Sequence, residues 1–186
     1  MAEVQQKKPG SVIGKLFKWT LVLLLLVVAA VVVIGQFVLD GKYDVSRAIA
    51  INAPPAEVHK QVGDLREWPN WLPFIKHDPS VNTTIEQPTG VGANQHWTGK
   101  GGNGELKFTT SDEDKGIEFD MLFDKKYASK GSLKYAKEGD GTRVTWRMTG
   151  QNDDFMGKWM AFAMSYMVGP MFDEGLVDLK KKVETK

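Results

Sequence analysis

Six segments between positions 83 and 150 repeat with a period of two, and they leave the chain few folds to choose from. The segments 83–87, 93–98, 105–111, 117–124, 127–136 and 142–150 are each bounded by Gly, Pro, Asp or Asn, the punctuation of short strands joined by turns. Ile117, Phe119, Met121 and Phe123 alternate with Glu118, Asp120, Leu122 and Asp124, and Val144, Trp146 and Met148 alternate with Arg143, Thr145 and Arg147. One face is apolar and the other wet, which predicts an antiparallel sheet. Such a sheet must cover its apolar face with another layer.

The one large segment that can supply the cover is 155–183, FMGKWMAFAMSYMVGPMFDEGLVDLKKKV. Five of the eight methionines fall in it, with Met156, Met160, Met164, Met167 and Met171 recurring at helical steps. On a helical wheel they form a stripe only ~80° wide. Phe155, Trp159, Phe162 and Tyr166 run beside it with Ala163 between, and Lys158, Ala161 and Ser165 fall opposite. A broad apolar face of this kind either packs on the sheet or lines a cavity. Methionine is flexible and polarizable and suits irregular contents, whereas tightly specified cores favour Leu, Ile and Val. No Leu or Ile occurs between Phe155 and Phe172, which favours the cavity. Beyond Gly169-Pro170 the apolar positions become Leu176, Leu179 and Val183, nearly on the opposite side of the wheel, so a proline kink is expected where the phase changes.

The front of the chain is of another kind. Between Lys18 and Asp40 lie 21 uncharged residues, WTLVLLLLVVAAVVVIGQFVL, which as a helix span ~32 Å and match a bilayer core. A cleavable signal peptide has a shorter apolar stretch and closes at a small-x-small site. No such site closes this segment cleanly and the chain has no Cys for lipid attachment. A retained anchor is therefore expected over 16–39, after a polar tail at 1–15 and before a domain at 42–186. Lys7, Lys8, Lys15 and Lys18 precede the segment with Glu3, while Lys42 and Arg47 follow it with Asp40 and Asp44. That basic excess keeps the N-terminus cytoplasmic and sends the domain across the membrane, into the periplasm if the cell is bacterial.

Between the anchor and the alternating segments, 42–52 reads as a strand ended by Ala53-Pro54-Pro55, and a proline in the first turn suits the start of a short helix over 56–64. In 65–74, LREWPNWLPF, the spacing of Trp68, Trp71 and Phe74 is that of one helical face, typical of core or gate positions. The order of strand, two short helices, six strands and long helix resembles the START-like helix-grip fold, and more narrowly the polyketide cyclase/dehydrase-like branch of the SRPBCC superfamily. The residues that carry the resemblance are SRAIAINAPPAEVHKQVGDLREWPNW, GDGTRVTWRMTG and MVGPMFDEGLVDLKKKVE, and it covers about 43–184. It implies an α+β fold in which a curved antiparallel sheet wraps a long C-terminal helix around a ligand cavity. Lipid carriers, hormone receptors and cyclases share that fold, so the resemblance says more about architecture than about activity.

The remaining motifs narrow the chemistry. Gly99 to Gly104 satisfies G-x-G-x-x-G, but a strand follows where the phosphate-binding mechanism needs a helix N-terminus. His59 and His77 read as surface or loop residues, and His96, beside Trp97, either does the same or faces the cavity to orient a polar ligand group. Glu118, Asp120, Arg143, Arg147, Lys130 and Lys134 belong to the wet face. Neither metal-ligand spacing nor a catalytic constellation is readable, no cofactor is implied, and a net charge of +1 gives no electrostatic case for nucleic acid. The expected cavity is lined by Met156, Trp159, Met160, Ala163, Met164, Met167 and Met171 from the helix, and by Trp97, Phe119, Met121, Phe123, Trp146 and His96 from the sheet. The function this predicts is a membrane-anchored binding protein for a hydrophobic or lipid-like ligand. The resemblance implies a cyclase or dehydratase-type enzyme as the alternative, and a non-catalytic partner in an envelope complex is a third reading.

Overall fold

Rich in branched aliphatics, free of proline and uncharged beyond Lys18, the N-terminal segment forms helix α1 (Gly10–Val33), which continues into a π-helical turn over Ile34–Val38. The structure is a computed structural model that describes residues 10–185, and these divide between Asp40 and Gly41 into two units. Within the first unit, Gly14–Val38 is long and apolar enough to cross a membrane, a property shared by membrane spans and signal sequences. The helix starts ahead of position 16, so residues 10–15 are helical where a polar tail is expected. The rest of that tail, with Lys7 and Lys8, lies outside the described residues.

The second unit opens on Gly41. Its φ of +75° suits glycine alone among common residues, and a Cβ there would lie 2.0 Å from the Asn152 carbonyl oxygen. The Asn152 N–H donates to the Gly41 carbonyl at 2.9 Å, so the chain is fastened to the domain at its first residue. Strand β1 (Lys42–Ile51) follows at once, then helix α2 (Pro55–Val62), a 3₁₀ turn (Trp68–Asn70) and helix α3 (Pro73–His77). Six strands come next: β2 (Asn82–Gln87), β3 (Asn94–Thr98), β4 (Gly104–Asp112), β5 (Gly116–Phe123), β6 (Tyr127–Glu138) and β7 (Gly141–Gln151). Helix α4 (Phe155–Glu184) closes the chain, with the Asp154 carboxylate accepting from the Gly157 N–H at 3.1 Å as its N-cap.

All seven strands pair antiparallel in the order β1-β7-β6-β5-β4-β3-β2, an α+β helix-grip arrangement. The register aligns Val45 with Met148, Leu133 with Trp146, Phe119 with Gly131 and Leu106 with Met121 on the inner face. The outer face carries the paired charges that alternation requires: Arg147 on Asp44, Lys134 on Glu118 and Lys130 on Asp120. The glycine-rich stretch from Gly99 lies between β3 and β4 and runs into a strand.

More than one element covers the inner face, and helix α2 packs Val58 and Val62 on it beside β5, β6 and β7. Helix α4 packs along β1 and β7, running in the same direction as β1. Arg47 pairs with Asp173 at 3.1 Å, Lys180 donates to the Ala50 carbonyl, and Glu184 accepts from the Asn52 N–H at 2.6 Å. The β4–β5 half is covered instead by Trp68, while Trp71 packs on β7. Trp68 lies 5.8 Å from Phe108 and 5.9 Å from Phe119 between ring centroids, and Trp71 meets Trp146 edge-on. Their indole N–H groups donate to the carbonyls of Val62 and Gln61, two of the carbonyls that the end of α2 leaves without an intrahelical donor. The tryptophans therefore cap one helix while filling the core of the next layer.

The buried stripe of α4 differs from the expected one. Gly157, Ala161, Val168, Phe172, Leu176, Leu179 and Val183 face the sheet as a single helical stripe that keeps its phase across Pro170. Ala161, expected opposite the packed face, is buried; the side chain of Ser165 lies outside the described residues. Small residues carry the approach: a Cβ on Gly175 would sit 3.0 Å from both Trp146 and Pro73. The methionines flank this stripe, and the expected change of phase does not occur.

Candidate ligand-binding surface

The first half of α4 is apolar on nearly every side yet buries little of itself. Phe155, Met156, Phe162, Tyr166 and Met167 are 39%, 64%, 48%, 71% and 66% exposed, although a globular surface rarely keeps large apolar side chains contiguous without a partner. Phe162 sits between Trp159, 6.1 Å away edge-on, and Tyr166 at 5.5 Å. Trp159, Met160, Ala163, Met164 and Met171 are half-buried, and Met164 packs against the core. The Trp159 indole nitrogen is enclosed with no hydrogen-bond partner in the protein, a donor whose desolvation is uncompensated.

The sheet residues expected beside them divide into two groups. Phe119 and Trp146 are core: Trp146 lies flat on Phe172 at 3.9 Å and 10°, and Phe119 is held between Trp68 and Phe108. Trp97, Met121 and Phe123 are half-buried, with Trp97 and Met121 packed against the core. Nearby on the inner face, the buried Tyr43 hydroxyl and Ser129 Oγ share a 2.5 Å hydrogen bond. Burial raises the Tyr43 pKa and the serine contact opposes the rise, so the phenol is neutral.

His96 is not part of that surface. Strand parity turns Trp97 inward and His96 outward, where it is exposed and 3.9 Å from Glu86. The outer face also carries an open trough of ≈ 1660 Å³ that crosses the sheet from Lys42 and Asp44 to Glu86 and includes no residue of α4. Its charges are largely paired. Arg147 grips Asp44 through two nitrogens and thereby holds the Asp44 carboxyl below its ordinary pKa.

One polar cluster has no counterpart in the sequence reading. His59, on α2, places Nε2 3.3 Å from Ser111 Oγ and Nδ1 3.4 Å from the Tyr135 hydroxyl, with the Tyr135 ring edge-on at 6.0 Å. Burial lowers the His59 pKa, opposed by the nearby Glu113 and Asp112 carboxylates, and burial raises that of Tyr135. At neutral pH the cluster holds a neutral imidazole and a neutral phenol. It lies at the Ile117 end of β5, the opposite end from Phe123. The signal in the sequence was slight: alternation with Leu133 turns Tyr135 inward, but nothing local links it to a residue on α2. Among the described residues no group of His, Asp or Glu is placed to hold a metal ion.

The sequence profile of the family described as polyketide cyclase / dehydrase and lipid transport matches residues 42–184. No curated protein sequence matches the chain significantly. Among solved structures, protein CV1439 from Chromobacterium violaceum is similar with a TM-score of 0.58 at 15% identity, covering 77% of this chain and 99% of that one. CalU16 from Micromonospora echinospora reaches 0.54 at 15% identity, over 76% of each chain. The Aha1 dimer from Colwellia psychrerythraea reaches 0.54 at 15% identity, over 76% of this chain and 96% of that one. At these identities the likeness is one of fold.

Proposed function

Because the chain belongs to the polyketide cyclase / dehydrase and lipid transport family, we propose that it is a membrane-anchored binding protein for a lipid-like ligand, held at the first half of α4. The observation that carries this reading is the run of unpartnered apolar side chains from Phe155 to Met167, continuous along the helix with the half-buried Trp159, Met160, Met164 and Met171. Flexible methionine and aromatic side chains suit an occupant of irregular shape. The enclosed Trp159 N–H offers one donor to a hydroxyl, ester or carboxylate on an otherwise apolar molecule. In this reading α1 is a retained single-pass anchor with its N-terminus in the cytoplasm and the domain outside it.

The test is uptake of a fluorescent fatty acid by the full chain in amphipol. Leu at both Met160 and Met164 conserves volume and leaves uptake and folding intact, at under about 1.5 kcal/mol each. Trp at both positions occludes the surface, and apparent affinity falls about tenfold or more, equivalent to at least about 1.4 kcal/mol. A folded Trp double variant that binds as the parent does would overturn the assignment. A second reading, a cyclase or dehydratase-type enzyme, draws support from His59, whose neutral imidazole beside Tyr135 is able to accept a proton. Turnover of a poly-β-keto or hydroxyacyl substrate that is lost in His59→Gln would favour it.

A further inference from the structure

We propose that the first half of α4 docks into the headgroup region of the bilayer that holds α1, so that the ligand passes between membrane and protein without crossing water. This rests on the reading of the chain as a membrane-anchored carrier and names the surface on which that carrier exchanges its ligand. The candidate span ends at Val38, and only Leu39 and Asp40 precede Gly41. A residue reaches at most ~3.6 Å, so Gly41 stays within roughly 11 Å of the end of the span.

Gly41 is in turn fixed to the start of α4. Its carbonyl accepts from Asn152, and its α-carbon sits where a Cβ would touch the Lys158 side chain at 3.2 Å. Asp154, two residues after Asn152, caps the helix. With α1 read as an anchor, the short connection therefore keeps the start of the exposed run within reach of the bilayer.

Its composition matches an interface. Phe155, Met156, Phe162 and Met167 supply apolar side chains, and Tyr166 supplies an exposed aromatic with a polar edge that favours the boundary between lipid and water. Lys126, in the turn between β5 and β6, reaches Asp154 at 3.2 Å and so belongs to the same end, with Lys125 exposed beside it. Asp124 and Asp153 are exposed at this end as well, so its charge is mixed and the apolar side chains carry the docking. The second half of α4 carries the opposite pattern, one buried stripe with charges around it. One helix thus has an end built for a protein core and an end built for a lipid surface.

The chain has no cysteine, so single labels report depth directly. Met156→Cys, Tyr166→Cys and, at the far end in the turn between β6 and β7, Asp140→Cys are each coupled to an environment-sensitive NBD dye. Each full chain is reconstituted in vesicles of phosphatidylcholine and phosphatidylglycerol, with near-UV circular dichroism confirming the fold. The expected result is a blue shift and quenching by shallow spin-labelled lipid at 156 and 166, with loss of iodide quenching, while 140 stays open to iodide. Labels at 156 and 166 as open to iodide as the one at 140 would overturn the proposal. So would labels shielded from iodide yet untouched by the lipid quencher, which would mean that a second copy covers the face. Fatty-acid uptake in amphipol is read separately. Aqueous labels with intact uptake remove the docking and keep the carrier, whereas lipid-embedded labels without uptake do the reverse.

Discussion

Phe172 is the side chain through which the terminal helix grips the sheet. It is fully buried, stacked on Trp146, and Trp146 in turn meets Trp71 from the covering segment. Phe172→Ala is expected to cost about 3–5 kcal/mol, since the cavity it leaves is walled by rigid rings; urea unfolding of the full chain measures it. His59 gives a pH signature. Burial lowers its folded pKa below the unfolded value of about 6.5, so the unfolded chain binds more protons as the solution acidifies. Its contribution is complete above that unfolded pKa and is lost as pH falls toward the folded one. The melting temperature of His59→Gln should therefore fall less than the parent's between about pH 7.5 and about pH 5.5. The sequence concealed this residue because its partners are 52 and 76 positions away. His96 was the more visible histidine because it adjoins Trp97, but that same adjacency on a strand turns it to the outside.

At the scale of elements, alternation was a reliable guide because a period of two leaves each side chain only two faces to choose between. The strands fall within a residue or two of their expected limits. Helix α4 was harder, because burial there follows small residues. Gly157 and Ala161 are buried, and Gly169 and Gly175 let the backbone come close to Arg47 on β1 and to Trp146, while hydrophobicity drew the eye to the larger methionines that flank them. The covering role of Trp68 and Trp71 was legible as a core spacing, but the division of the sheet between them and α4 depends on which strand each packs on. The continuous stripe also reverses the expectation for Pro170. It is exposed, and its ring nitrogen leaves the Tyr166 carbonyl without the usual donor. Pro170→Ala should raise stability by up to about 3 kcal/mol, read as a higher urea midpoint. A lower midpoint would mean that the two halves of the buried stripe depend on a bend.

For the whole molecule, the hydropathy of the first unit and the fold of the second were both readable, the one from length and charge and the other from the order of elements. The trough on the outer face was not, because its lining is assembled from residues of all seven strands. A reporter fused after Lys186 should be active only if it works outside the cytoplasm, since Lys15 and Lys18 precede the apolar stretch. Activity of a cytoplasm-restricted reporter would reverse the orientation and leave the fold untouched.

Gly41 gives the protein no slack. Many tethered carriers swing on tens of flexible residues, and their catch radius is set by that leash. If α1 is the proposed anchor, the leash is a residue or two, and a domain of this length has a radius of gyration of roughly 15 Å. Its reach is then little more than its own width. In the proposed carrier, cargo taken from one leaflet would be handed to something in that same leaflet, at a rate set by surface density and lateral diffusion. Splicing a long glycine-serine stretch ahead of Gly41 would convert that planar traffic into a search through volume. If exchange with the home membrane then slowed while the isolated domain still bound its cargo, the short connection would be shown to act as a part of the machine.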